Sequence, residues 1–94
     1  MHAVVFHVDF VPDREQRRES ELDIVVSTTR STPGFIRGTW LENGERGMSV
    51  LLFASEDSAR AVAANAVIPP EAAVRLHSVD VFAVARDETD GDGR

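Results

Sequence analysis

Apolar and polar residues near the start of the chain alternate with a period of two, which predicts a strand over His2 to Val11. Val4, Phe6, Val8 and Phe10 fall on one of its faces, and Ala3, Val5, His7, Asp9 and Val11 on the other. Pro12 removes a backbone donor and stops it. Asp13 with Gln16 three residues on has capping-box spacing and predicts a helix from there to about Arg30. Leu22, Val25, Val26 and Thr29 recur at helical spacing in its second half. Its first half, Arg14 to Glu21, is entirely polar, so it is expected to project into solvent with Arg17 and Glu21 paired at i, i+4.

Ser31, Thr32, Pro33 and Gly34 end that helix, and Phe35 to Glu42 reads as a second strand carrying Ile36, Trp40 and Leu41. Asn43, Gly44 and Gly47 mark a hairpin loop. Met48 to Ala54, the most apolar stretch, is the third strand, with Met48, Val50, Leu52 and Ala54 on one side and Leu51 and Phe53 on the other. Ser55 is placed to cap a second helix, with Glu56 and Asp57 at its positive end. Ala59, Val62, Ala63 and Ala66 form a narrow stripe suited to close packing on a sheet, and Pro69 and Pro70 close the element. Val74 to Ala85 is the last strand.

The order βαββαβ predicts an α+β, ferredoxin-like domain over residues 1–86: a four-stranded antiparallel sheet with two helices on one face. The acidic, glycine-bearing stretch 87–94 is expected to be disordered. Two helices on one face leave the other bare, and a bare face should read polar. Here the first and third strands, and part of the fourth, are apolar at both parities, which points to burial on both sides. A second copy of the chain offers the cheapest cover, so a homodimer through the sheet faces is expected. The chain length agrees: 94 residues bury roughly two-thirds of the unfolded surface, a size at which domains often recruit further support.

Composition narrows the chemistry by what is missing. Without cysteine there are no disulfides, thiolate metal sites or cysteine nucleophile. All ten basic residues are arginine, and there is no tyrosine, so Schiff-base and phenolic acid catalysis are excluded. The net charge of −6 and the absence of a basic stripe argue against nucleic acid as a partner. The N-terminal segment lacks the features of a secretory signal and no stretch has membrane-spanning length, so a cytoplasmic protein with no membrane partner is expected.

His7 on the first strand and His77 on the fourth are candidate acid-base residues, because imidazole titrates near neutrality. Antiparallel neighbours in this topology bring them within reach of each other, and Asp9 shares a face with His7 and is placed to orient it. The alternative is that both are strand residues satisfied by their neighbours. A metal site would need a third ligand that spacing does not supply. Trp40 offers a flat surface for an aromatic ligand, although a lone tryptophan in a small domain is more often core or dimer-interface packing. Phe6 and Phe53 are further candidate contacts, Arg37 is suited to neutralise a phenolate or carboxylate, and Asn65 to donate to a substrate oxygen. Asp80, between Val79 and Val81, is an unexpected strand charge that an arginine across a dimer would satisfy.

The run Thr32-Pro33-Gly34-Phe35, Trp40 further along that strand, and the short alanine-rich second helix resemble the antibiotic biosynthesis monooxygenase-like group of dimeric α+β barrel proteins. The resemblance spans Met1 to about Arg86. It implies a homodimeric barrel with a small pocket between sheet and helices in each subunit. It also implies oxygenation of a small quinol- or anthrone-like aromatic with no cofactor or, in other relatives, haem binding. Asn65 matches the helical asparagine of the anthrone-oxidising members, while Pro69 stands one turn on where they have tryptophan. The haem-degrading relatives combine an asparagine on the first strand, a helical tryptophan and a histidine ligand, whereas this chain has no asparagine before Asn43 and its tryptophan is on a strand. Three functions stay open at this point: a cofactor-independent monooxygenase, a non-catalytic dimer that binds a small apolar ligand or haem, and an accessory dimer with a filled pocket.

Overall fold

The computed structural model describes residues 1–88. The elements are β1 (His2–Phe10), α1 (Glu15–Arg30), β2 (Phe35–Glu42), β3 (Arg46–Phe53), α2 (Glu56–Ala64) and β4 (Val74–Ala83). The strands form one antiparallel sheet in the order β2-β3-β1-β4, the ferredoxin-like arrangement that the residue pattern predicts. No helix among the described residues is long and apolar enough to cross a membrane.

Register fixes which residues share a face. Val4 lies between Leu51 and Val81, and Phe6 between Ser49 and Val79, so the even positions of β1 look toward the helices. The tight core is small: Val4, Leu51 and Phe53 pack against Ala59 of α2, ringed by Phe6, Phe35, Trp40, Val62, Ala63, Val79 and Val81. The rings of Phe35 and Phe53 meet edge to face with centroids 5.9 Å apart. Alanine on the inner side of α2 lets that helix lie close to the strands, and Ser55 caps it by accepting the Ser58 N–H at 3.2 Å. Arg60 holds the Glu56 carboxyl below its ordinary range, by a 2.7 Å hydrogen bond and by its charge.

The first helix differs from its prediction at both the cap and the polar half. Asp13 has a left-handed φ of 68° and lies in the turn after Pro12, so it does not cap. The helix starts at Glu15, and the Asp13 N–H donates to the Glu15 carboxylate at 3.2 Å. The polar half does not project freely into solvent. Arg14 donates to the carbonyls of Pro70 and Ala72 at 3.0 and 2.8 Å, and Glu21 accepts the Ala73 N–H at 2.9 Å while facing Arg17 at 3.5 Å. These bonds clasp α1 to the loop before β4. No residue of α1 is fully buried, and Ile24 is 66% exposed.

Three further boundaries shift. Gly47 belongs to β3 and is buried, because Val8 and Phe10 lie where its side chain would be; a Cβ there would meet them at 3.0 and 3.1 Å. Asn43 and Gly44 build the hairpin turn, Gly44 with a left-handed φ of 97° and Asn43 with its carboxamide oxygen accepting the N–H groups of Glu45 and Arg46. The second helix ends at Ala64, well before the prolines, with Asn65 as its C-cap. The last strand ends at Ala83, and the segment beyond it carries Asp87 to an ion pair with Arg37 at 2.6 Å. The disorder expected over 87–94 lies, beyond Glu88, outside the described residues.

This division of labour predicts unequal responses to truncation. Phe53→Ala removes a fully buried ring and is expected to cost about 3–5 kcal/mol, whereas Ile24→Ala on α1 is expected to change stability by no more than about 0.5 kcal/mol. Urea midpoints of the two variants, at constant slope, check the contrast.

Candidate functional site

Because α2 hugs the sheet and α1 does not, a cavity of about 460 Å³ opens between the two helices and the strands, within the range of small-molecule sites. Phe6, Val8 and Phe10 of β1 form its floor together with Trp40 and Leu51. Leu22, Val25, Thr28 and Thr29 of α1 form one wall, and Val62, Asn65 and Ala66 the other. The spacing that predicted the inner face of α1 is therefore correct for Leu22, Val25 and Thr29, but that face meets empty space instead of a packed core.

Trp40 is positioned by the residue two before it. Gly38 shares its face of β2, and a Cβ on Gly38 would stand 2.8 Å from the Trp40 ring and 2.9 Å from Leu51. The absence of a side chain lets the indole lie flat along the strand, with its ring packed against the core cluster and forming part of the cavity. The indole Nε1–H is buried without an acceptor among the described residues, a donor that normally finds a partner. Asn65 donates its Nδ2 to the Ala61 carbonyl at 2.8 Å and contributes to the wall at the mouth.

The sequence-derived candidates divide into two groups. Trp40, Phe6 and Asn65 come together around the cavity. Phe53 is fully buried in the core and does not line it. His7, His77 and Arg37 lie on the opposite, open face of the sheet. The odd positions of β1 point there, so His7 is directed away from the helices. Arg37 is opposite Leu52 and, three residues from Trp40, is turned from it by strand alternation.

A bulge in β4 explains His77. The register with β1 slips between His7 and Val8, so that His7 faces Ser78 and Val8 faces Leu76, leaving His77 as the extra residue. Its Nδ1 approaches the Asp9 carboxylate at 3.4 Å, and Arg46 lies 3.9 Å from the same group. Asp9 therefore meets His77 and not His7. All these groups are substantially exposed, and the cluster has the character of a solvated polar patch. No group of three or more metal-ligating side chains occurs among the described residues.

Sequence reasoning missed Arg18. It lines the cavity, and its guanidinium carbon lies 4.0 Å from the centre of the Phe10 ring. The available signal was its i, i+4 relation to Leu22, which puts it on the inner face of α1; its place within a polar run concealed it.

No family model matches the chain, and neither does any curated protein sequence. Among solved structures, it is similar to a crystal structure of an MhuD point mutant with two manganese protoporphyrin IX molecules bound per active site. The TM-score is 0.70 at 16% sequence identity, covering 96% of this chain and all of that one. At that identity the likeness establishes the fold.

The glycine beneath Trp40 can be tested directly. Gly38→Ala is expected to displace the indole, cost about 1–3 kcal/mol and shift the emission of what is the only tryptophan in the chain. Unchanged emission would show that the ring does not depend on Gly38.

Proposed function

We propose that this chain binds a small, flat, largely apolar molecule in the cavity between α1, α2 and the sheet. The observation that carries this reading is the cavity itself: about 460 Å³ of space walled by aromatic and aliphatic side chains in a chain whose packed core is otherwise small. Natural interiors are close-packed, so a gap of this size with an aromatic floor is better explained by an occupant than by loose folding. The printed description of the MhuD structure, with porphyrins in its active site, supports a planar ligand in the same fold.

Haem held by an axial imidazole does not fit the residues present. The described lining contains no histidine, and the chain has no cysteine or tyrosine to replace it. A metal-free aromatic is the better match. Cofactor-independent oxygenation of a quinol- or anthrone-like ligand is the second reading. Asn65 favours it, since a carboxamide at the mouth can hydrogen-bond a substrate oxygen. In that reading His7 and His77 are not the base, because they face away from the cavity.

Energy transfer from Trp40 to the neutral probe N-phenyl-1-naphthylamine measures binding. One saturable site per chain is expected, lost in Val25→Phe, which fills the cavity from its α1 wall without adding a second donor, and retained in the double variant His7→Ala/His77→Ala. A Soret shift on haem titration would instead favour a ligated porphyrin. Oxygen uptake with an anthrone that Asn65→Ala abolishes would favour the oxygenase.

We also infer a homodimer through the open sheet face. Its support is the apolar part of that face, where Val5 and Val50 share a side with Phe82, which is 54% exposed. Sedimentation equilibrium is expected to give twice the 10.3 kDa chain mass, and Phe82→Asp to return it to one. A monomer at micromolar concentration would rule the pairing out.

A further inference from the structure

The cavity is apolar but not neutral. Three charged residues line it: Arg18, Glu21 and Glu42. Glu21 is already engaged by the Ala73 N–H and Arg17. Glu42 lies at the exposed end of β2, opposite Gly47 and next to the hairpin. Arg18 is half-buried, rests on the Phe10 ring and forms no ion pair among the described residues. Its charge is the weakest of the influences that lower the Glu15 carboxyl. A guanidinium laid on a ring keeps its N–H edge available, and that planar edge matches an oxyanion.

The rest of the chain makes this cation the more telling. With a net charge of −6, the protein's overall field repels anions, so an anionic ligand needs a local positive group at the site. Trp40 faces the β1 strand near Phe6, and Arg18 covers Phe10, four residues further on, or about 13 Å along the strand. Stacking surface and cation thus stand at opposite ends of one elongated, apolar space.

We propose that Arg18 is the residue that sets ligand specificity, and that the ligand is an extended aromatic bearing one anionic group, such as a carboxylate, phenolate or sulfonate, at the Arg18 end. This deepens the binding reading above and rests on it.

Two naphthalene probes of similar size separate the two claims: 1-anilinonaphthalene-8-sulfonate, which is anionic, and N-phenyl-1-naphthylamine, which is neutral. Both are titrated into the wild-type chain and into Arg18→Gln and Arg18→Lys. The sulfonate should lose about tenfold in affinity in Arg18→Gln and recover part of it in Arg18→Lys, while the neutral probe binds all three equally. Undiminished sulfonate affinity in Arg18→Gln overturns the proposal and leaves the binding reading intact. Equal weakening of both probes also overturns it, because it would mark Arg18 as a packing residue. If neither probe binds the wild-type chain, the binding reading fails and the role of Arg18 with it.

Discussion

The contact on which the rest depends is the seating of α2, through Ala59, on Val4, Leu51 and Phe53. It is the one place where helix and sheet exclude everything between them. Small side chains make it possible, since an alanine face lets a helix approach a sheet more closely than leucine would. Only α2 has such a face. The inner residues of α1 are longer and half exposed, and that helix is secured instead by polar bonds from Arg14 and Glu21 to the backbone of the loop before β4. A sheet gripped under one helix and bridged by the other leaves a space between them that is partly open to solvent. The cavity is thus a consequence of how two helices of different composition are fastened to the same strands.

The open face of the sheet is divided too. Toward the start of β1 it is mainly apolar, with Ala3, Val5, Val50, Leu52 and Phe82 beside the charges of Asp80 and Arg37; toward the end of β1 it is polar, with His7, Asp9, Arg46 and His77. The β4 bulge sits at the boundary between these halves. Since β2 and β4 are opposite edges of the sheet, the Arg37–Asp87 pair draws the segment after β4 back across its width at the apolar end.

Most of the architecture was legible because period and punctuation agree along the chain. The bounds of β2 and the Ser55 cap follow from residue type alone. What misled was local chemistry with two equally sound outcomes. Asp13 before a helix reads as a cap, yet the turn after Pro12 gives it a left-handed φ. Gly47 beside a hairpin reads as turn, yet it is the space Phe10 requires. The site was legible in part. Trp40, Phe6 and Asn65 follow from face and element, but His7 and His77 were drawn together by strand adjacency, which says nothing about which side of a sheet holds the pocket. The cavity was not legible, because an inward apolar face is spelled the same way whether it touches its neighbour or stops short. Arg14 and Glu21 were hidden for a related reason: bonds spanning more than fifty residues leave no local signature.

The clasp on α1 has a kinetic meaning. The cavity is partly open to solvent, with Leu22 and Val25 exposed on its α1 wall, so a small molecule exchanges without moving that helix. One too large for the opening displaces α1 and breaks the bonds of Arg14 and Glu21 to Pro70, Ala72 and Ala73. Exchange of larger molecules is then slowed by the opening of the protein as well as by the strength of their own contacts.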